Sequence, residues 1–387
     1  MNIVVFSHSR SIHVKNRFRL LASLGYSGRL IWPNSIAAKQ IRKAQQVMSI
    51  WKADADVFHA HYAYSFSTIH AFLAGKFPLL ISTMGGDILL EEQWDPNHIE
   101  RKIVKLLLVH ADGVTAKSQH NREVISKLGR PTEATVLLNW GVNLQAFQPQ
   151  NNLPVLKELQ QRDNIILHPR GLDPVYNTAL MLKALKMVID KGIDATLFIT
   201  KALHSPLTRA TEEMIKSLGI SDHVILGGEF SESEMNALYN KSKTVVSIAK
   251  SDGIPMTVIE ALATGTSVVL GKLPHFKHEF DDNVITWTEL KAEDVADAIV
   301  ANLSDNTQDK QVYRCQFVRK HFDSEEQKSI YNNELERLRK VPKKHRFIPR
   351  FHLLILIILN SIFKILGKIL GREKMDWAYI SSQKNKS

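Results

Sequence analysis

Short apolar runs alternate with stretches of helical periodicity through most of the chain, the pattern of parallel sheets covered by helices. Residues 2–6 (NIVVF) read as a first strand, and 12–24 carry apolar residues at helical spacing up to Gly25. Residues 78–82 (PLLIS), 113–116 (GVTA) and 135–138 (TVLL) read as further strands, as does the run ending at His61. The stretch 148–154, QPQNNLP, is polar and proline-bearing and reads as a linker. The alternation restarts at 164–168 (NIILH), 195–200 (ATLFIT), 223–226 (HVIL), 244–248 (TVVSI) and 267–270 (SVVL). The expected fold is α/β, with two Rossmann-like domains over 1–150 and 155–330 and a basic, apolar tail over 337–387. A chain of 387 residues is too long for one typical core and suits two.

The apolar fraction of 44% and charged fraction of 23% are those of an ordinary globular protein. One cysteine, Cys315, excludes an intramolecular disulfide and a Cys-based metal cluster, and points to a reducing, cytoplasmic setting. The first strand begins at the N-terminus without the basic start or cleavage site of a signal peptide.

The formal charge of +11 admits nucleic acid, an anionic substrate or an anionic membrane. Arg337, Arg339, Lys340, Lys343, Lys344, Arg346 and Arg350 crowd before an apolar segment with almost no acid to offset them, which favours a membrane surface. No zinc spacing or aromatic-interleaved basic pattern supports nucleic acid. Residues 351–370, FHLLILIILNSIFKILGKIL, place Asn360, Ser361, Lys364 and Lys368 at helical spacing. A helix of that length reaches about 30 Å, but its lysines make crossing costly. An amphipathic helix lying on the inner face of the cell membrane, with Trp377 and Tyr379 at the headgroups, fits both halves of the pattern. A helix packed on the protein's own core or on a partner is the alternative, with true spanning the third.

The stretch SIAKSDGIPMTVIEALATG at 247–265 carries the most chemistry. A strand leads into Ser251-Asp252-Gly253-Ile254, and a helix follows with Pro255 in its first turn. Amides at such a helix start seat phosphate oxygens. Asp252 and Glu260 have seven residues between them, and a buried carboxylate there suits the paired hydroxyls of a ribose. An ordinary strand–loop–helix with two incidental acids has the same spacing.

This segment resembles the acidic-x7-acidic signature of retaining glycosyltransferases of family 4 (glycosyl transferases group 1), whose fold is the two-domain GT-B type facing a cleft. The resemblance implies that Glu260 grips the nucleotide ribose and Asp252, where the family usually has Glu, faces the transferred sugar. It implies that Gly253, Ile254 and Pro255 contact the donor. Arg170, at the end of DNIILHPRG, matches the family's diphosphate arginine, a residue whose planar fork suits phosphate. The family's Lys a few residues later is absent from Leu172-Asp173-Pro174-Val175-Tyr176-Asn177, and Lys201 is the candidate substitute. LLNWGVNLQAFQP at 137–149 resembles the element that closes the N-terminal domain, with Asn143 in place of Asp. GISDHVILGGEFSESEMNALYN resembles the nucleotide-base segment, with Gly227, Gly228 and Glu229 as its candidates.

In the first half, DVFHAHYAYSF resembles a family histidine block. Alternation puts His59 and His61 on one face, and His61 is a candidate catalytic residue. TMGGDILL resembles a further block in which Met84 replaces a common active-site His. Gly85 and Gly86 permit close approach, and Asp87 could orient an acceptor, cap a helix or bond its own loop. The opening FSHSRSIHVKNRFRLLASLGY resembles the family's first block and puts His13 on the acceptor side.

The chain is therefore expected to be a glycosyltransferase with a nucleotide-diphospho-sugar donor, no cofactor and no metal. A lipid-linked or oligosaccharide acceptor in cell-surface polysaccharide or glycolipid assembly completes the expectation. A nucleotide-sugar 2-epimerase and a catalytically weak sugar-nucleotide-binding partner protein are the competing readings.

Overall fold

The computed structural model describes residues 1–7, 12–32, 39–89, 99–150, 154, 156–203, 205–304, 307–343 and 347–369. The chain divides into two compact units, Met1–Asn139 with Lys328–Ser387, and Trp140–Gln327.

The first unit runs β1 (Asn2–Phe6), α1 (Ile12–Ser23), β2 (Ser27–Ile31), α2 (Lys39–Lys52), β3 (Val57–His61), α3 (Phe66–Leu73), β4 (Leu79–Ser82), α4 (Gly86–Leu89), α5 (Ile99–His110), β5 (Gly113–Ala116), α6 (Gln119–Lys127) and β6 (Thr135–Leu137). Its strands lie in the order β2-β1-β3-β4-β5-β6, with parallel pairs throughout. Every residue of β3, β4 and β5 is buried, as covering on both faces requires, His59 and His61 of β3 included. Ser65 and Ser118 start α3 and α6 by accepting from the amides of Thr68 (3.1 Å) and Asn121 (3.0 Å). The sheet changes winding direction between β1 and β3, and the carboxyl ends there are the expected place for a site.

The second unit runs β7 (Ile165–His168), α7 (Thr178–Asp190), β8 (Thr196–Ile199), α8 (Thr208–Ser217), β9 (Val224–Leu226), α9 (Glu232–Lys241), β10 (Thr244–Ser247), α10 (Met256–Ala263), β11 (Ser267–Gly271), β12 (Thr286–Thr288), α11 (Ala292–Ser304) and α12 (Gln308–His321). Its parallel order is β12-β11-β10-β7-β8-β9, with the switch between β7 and β10. Alternate strand residues feed two cores: Ile165, Leu167 and Val245 pack with α10, whereas Ile166, Leu197 and Val246 pack with α7 and α11. His168, the buried last residue of β7, bonds the carbonyl of Val246 through Nδ1 at 3.1 Å and so ties β7 to β10 at the switch.

The expected boundary near residue 150 lies instead at 139/140. Val142 and Phe147 belong to the second core, and Val142 exchanges backbone bonds with Phe322 (2.7 Å) and Ser324 (3.1 Å). From Trp140 on, the WGVNLQAF element is thus part of the second unit and does not close the first.

The segment expected as a separate tail is not separate either. From Lys328 on, α13 (Ser324–Arg339) returns to the first unit, where Tyr331, Leu335 and Leu338 are fully buried with Ile3, Val5 and Val57. Then α14 (Phe347–Ile369) packs on α5 and α3, with Leu353 at 0% exposure inside the first core. Arg350 Nε donates to the carbonyl of Leu73 at the end of α3 (2.8 Å), and Asn360 donates to Glu100 (3.5 Å). The residues from 370 on, Trp377 and Tyr379 among them, lie outside the described residues.

Leu353→Ala is expected to lower stability in urea by about 2–4 kcal/mol, the usual cost of a core cavity. Phe351→Ala, two residues earlier and on the open face, is expected to change it by less than about 0.5 kcal/mol. Equal effects would show that α14 is not part of the first core.

Candidate active site

In the second unit the carboxyl ends of β7 and β10 deliver Arg170 and Asp252 to one spot. Arg170 Nη2 lies 2.5 Å from Asp252 Oδ2, both side chains mostly buried, and Nη1 reaches Thr257 Oγ1 at 3.5 Å. The ring of Tyr176 covers the guanidinium, with Cζ 4.4 Å from its centroid. Tyr176 comes from the very segment in which the expected lysine is missing. Asp252 is fixed in turn: its Oδ1 accepts from the Gly253 amide (2.7 Å) and its carbonyl accepts from His275 Nε2 (2.8 Å). α10 begins beside this pair with Pro255 at its N-cap, and no side chain caps its first amides. Ile254, expected at the donor, has its side chain in the core, which leaves its backbone for any contact.

Glu260, one turn further along α10, accepts a hydrogen bond from the Tyr239 hydroxyl at 2.8 Å. Tyr239 is fully buried on α9. Burial pushes the Glu260 carboxyl up to about 7, and Glu232 adds to this. The Tyr239 hydrogen bond and the charges of Lys201 and Arg170 pull it back down. The carboxylate therefore sits in the field of both cations on offer. Lys201 follows β8 in a left-handed conformation (φ 54°), and the Cβ of any residue but glycine at 171 (φ 74°) would come within 3.3 Å of it.

Gly228 holds Lys201 by accepting from its amide at 2.7 Å and borders open space, while Glu229 is exposed. Gly227 is glycine for packing: a Cβ there would stand 2.5 Å from the Phe198 ring. Among the described residues no three His, Cys, Asp or Glu side chains gather as a metal site. A cavity of about 820 Å³ beside the first residue of β12, lined by Asn283, Thr286, Asn302 and Tyr313 among others, shares no residue with this group.

The other candidates lie in the first unit. His59 and His61 are fully buried with ring centroids 4.3 Å apart, as alternation along β3 requires. His59 bonds the Tyr331 hydroxyl and Ser82 Oγ, each at 2.7 Å, and burial beside Arg17 pushes it down to about 3, so it stays neutral. Asp87 is buried and accepts from the amides of Ala63 (2.5 Å) and Met84 (2.8 Å), tying its own loop to the end of β3. Of its three readings, loop bonding is the one observed. Gly85 uses its freedom (φ 107°), and Gly86 is exposed with open space around it. His13 is in the first turn of α1, and its side chain lies outside the described ones.

Residues 151–315 match the family model described as glycosyl transferases group 1. This stretch is a group 1 glycosyltransferase domain. It contains Arg170, Lys201, Tyr239, Asp252 and Glu260. The chain is 25% identical over 208 residues to an alpha-monoglucosyldiacylglycerol synthase of Streptococcus pneumoniae, covering 52% of this chain and 46% of that protein. It is 23% identical over 175 residues to an MMP alpha-(1->4)-mannosyltransferase of Mycolicibacterium hassiacum, covering 45% and 38%. Each match thus spans less than half of the relative's length. The crystal structure of Anabaena HepE in complex with UDP and glucose superposes with a TM-score of 0.68 at 16% identity, over 87% of this chain and 100% of that one. At that identity the likeness is one of fold alone, and it extends beyond residues 151–315.

Two residues of the glycosyltransferase domain escaped the sequence reading, Tyr176 and Tyr239. Both stand in quoted segments, but their partners are 6 and 21 positions away, and no spacing rule marks an aromatic hydroxyl or ring as a carboxylate or guanidinium partner.

A carboxyl raised from 4.5 to about 7 favours the protonated fold. Its destabilising contribution is absent below the unfolded value and complete above about pH 7. Glu260→Gln is therefore expected to stabilise by about 1–3 kcal/mol at pH 8 and to change little at pH 4.5. Thermal unfolding at the two pH values measures this, and an equal shift at both refutes the buried charge.

Proposed function

We propose that the protein transfers a sugar from a nucleotide-diphospho-sugar to a lipid-linked acceptor, retaining the donor's anomeric configuration and needing no divalent metal. The observation that carries this reading is the convergence of Arg170, Asp252 and Glu260 at the β7/β10 switch point beside the uncapped start of α10. The complex of HepE with UDP and glucose supports the donor class, and the diacylglycerol named for the streptococcal relative supports a lipid acceptor.

In this reading Glu260 accepts hydroxyl donors of the nucleotide ribose. Tyr239 anchors Oε2 of that carboxylate and leaves Oε1 for the ligand. Arg170 and the first amides of α10 take the diphosphate, with Lys201 as a second cation. Negative charge grows on the leaving diphosphate as the sugar–oxygen bond breaks, so fixed positive groups there help the transition state more than the ground state. Asp252 holds one edge of Arg170 before the donor arrives, and in this reading it faces the sugar being transferred.

The test is a panel of nucleotide-diphospho-sugars incubated with full-length protein and a diacylglycerol-containing lipid extract, with chelator present. Transfer to lipid is expected, and Glu260→Ala and Arg170→Ala should each lower kcat/KM at least about a hundredfold, or about 2.7 kcal/mol. Interconversion of the free nucleotide sugar without acceptor would mean an epimerase. Failure to bind any donor would sink the proposal.

A further inference from the structure

α14 is apolar on both sides. Its inward side carries Leu353, Leu356 and Ile357 against the first core, together with the polar groups of Arg350 and Asn360, which find Leu73, Glu100 and, through Glu100, Tyr64 (2.9 Å). Its outward side is apolar: Phe347, Phe351, Leu354, Ile355, Ile358 and Ile362 recur at three- and four-residue steps, Phe347 at 74% exposure and Phe351 at 52%. The stripe runs about 22 Å along the helix. Inward bonds fix the rotation of the helix, so this face cannot turn away from solvent without breaking them.

A contiguous apolar strip of this kind marks an interface. The chain around it says which. Between residues 337 and 372 there are ten Lys and Arg and no Asp or Glu. Arg337 is bonded to Glu334 and Arg350 to Leu73, Arg339 and Lys343 pair at the surface with Glu336 (3.7 Å) and Asp54 (3.6 Å), and Lys340 is exposed. A second copy of the chain laid on the stripe would bring two such cationic segments together, whereas lipid phosphates neutralise them. No helix among the described residues is long and apolar enough to cross a membrane. Packing along α5 and α3 holds α14 lengthwise against the first unit.

We propose that α14 is a membrane-docking surface, lying in the plane of an anionic lipid interface with Phe347, Phe351, Ile358 and Ile362 in the acyl boundary. The earlier expectation of a detached tail gives way to a helix that is a wall of the first unit on one side and a lipid contact on the other. Basic groups add long-range attraction, and the apolar stripe supplies the holding contact.

The experiment is flotation of the full-length protein with phosphatidylglycerol-containing or pure phosphatidylcholine vesicles, which needs no turnover and is independent of the donor assay. Wild type should float with the anionic vesicles and less with the zwitterionic ones. The double variant F351E/I358E should partition at least about tenfold less, with an unchanged urea midpoint, because both residues are exposed. Equal flotation of variant and wild type would overturn the proposal. So would a wild type that binds no vesicle but is a dimer, with the variant a monomer.

Discussion

The ion pair between Arg170 and Asp252 joins the loops that follow β7 and β10, the two strands between which the second sheet reverses its winding. At a switch point the loops leave in opposite directions, and something must hold them to a common geometry. His168 does so below the loops by bonding Val246, and the ion pair does so above them. Tyr176 fills the face of the guanidinium and His275 the far side of Asp252. In the proposed reading, the group that receives the diphosphate is thereby held in place before the anion arrives. That is the condition under which electrostatic stabilisation costs least reorganisation.

The same loops explain why Glu260 is tolerated. A carboxylate this far from solvent is costly unless hydrogen-bonded and compensated. Tyr239 provides the hydrogen bond, and Arg170 and Lys201 the compensation, yet burial still wins and leaves the group near neutrality of its titration at pH 7. A purely structural site would be better served by a neutral residue. A carboxylate kept despite its cost, beside cations and a helix start, supports the proposed donor site.

What the sequence revealed follows from range of interaction. Strands β3 to β5, β7, β8, β10 and β11 are buried on both faces and show as short, mainly apolar runs, with His59 and His61 the polar exceptions within β3. β2, with three of five residues exposed, carries no such run and was not foreseen, nor was the three-residue β12. The donor-side residues were legible because Asp252, Glu260 and Arg170 sit in local motifs. Their partners were not, since a Tyr239 hydroxyl meets Glu260 only after α9 and α10 pack side by side. The unit boundary was misplaced for the same reason: the polar stretch at 148–154 looks like a linker, but Val142 is bonded to residues about 180 positions further on.

The tail shows most clearly where periodicity stops being informative. Its spacing identified a helix with an apolar and a polar side, and general experience puts the apolar side against protein. In α14 the polar atoms go inward because the first unit offers exposed ends there, the carbonyl of Leu73 and the carboxylate of Glu100, that only donors can satisfy. Those two contacts set a rotation in which the core takes Leu353 whole and packs Leu356 and Ile357 in part, while Phe347, Phe351, Leu354, Ile355, Ile358 and Ile362 are left outside. An amphipathic pattern fixes that a helix has two faces. Which face turns inward is decided by the unmet hydrogen bonds of whatever it packs against.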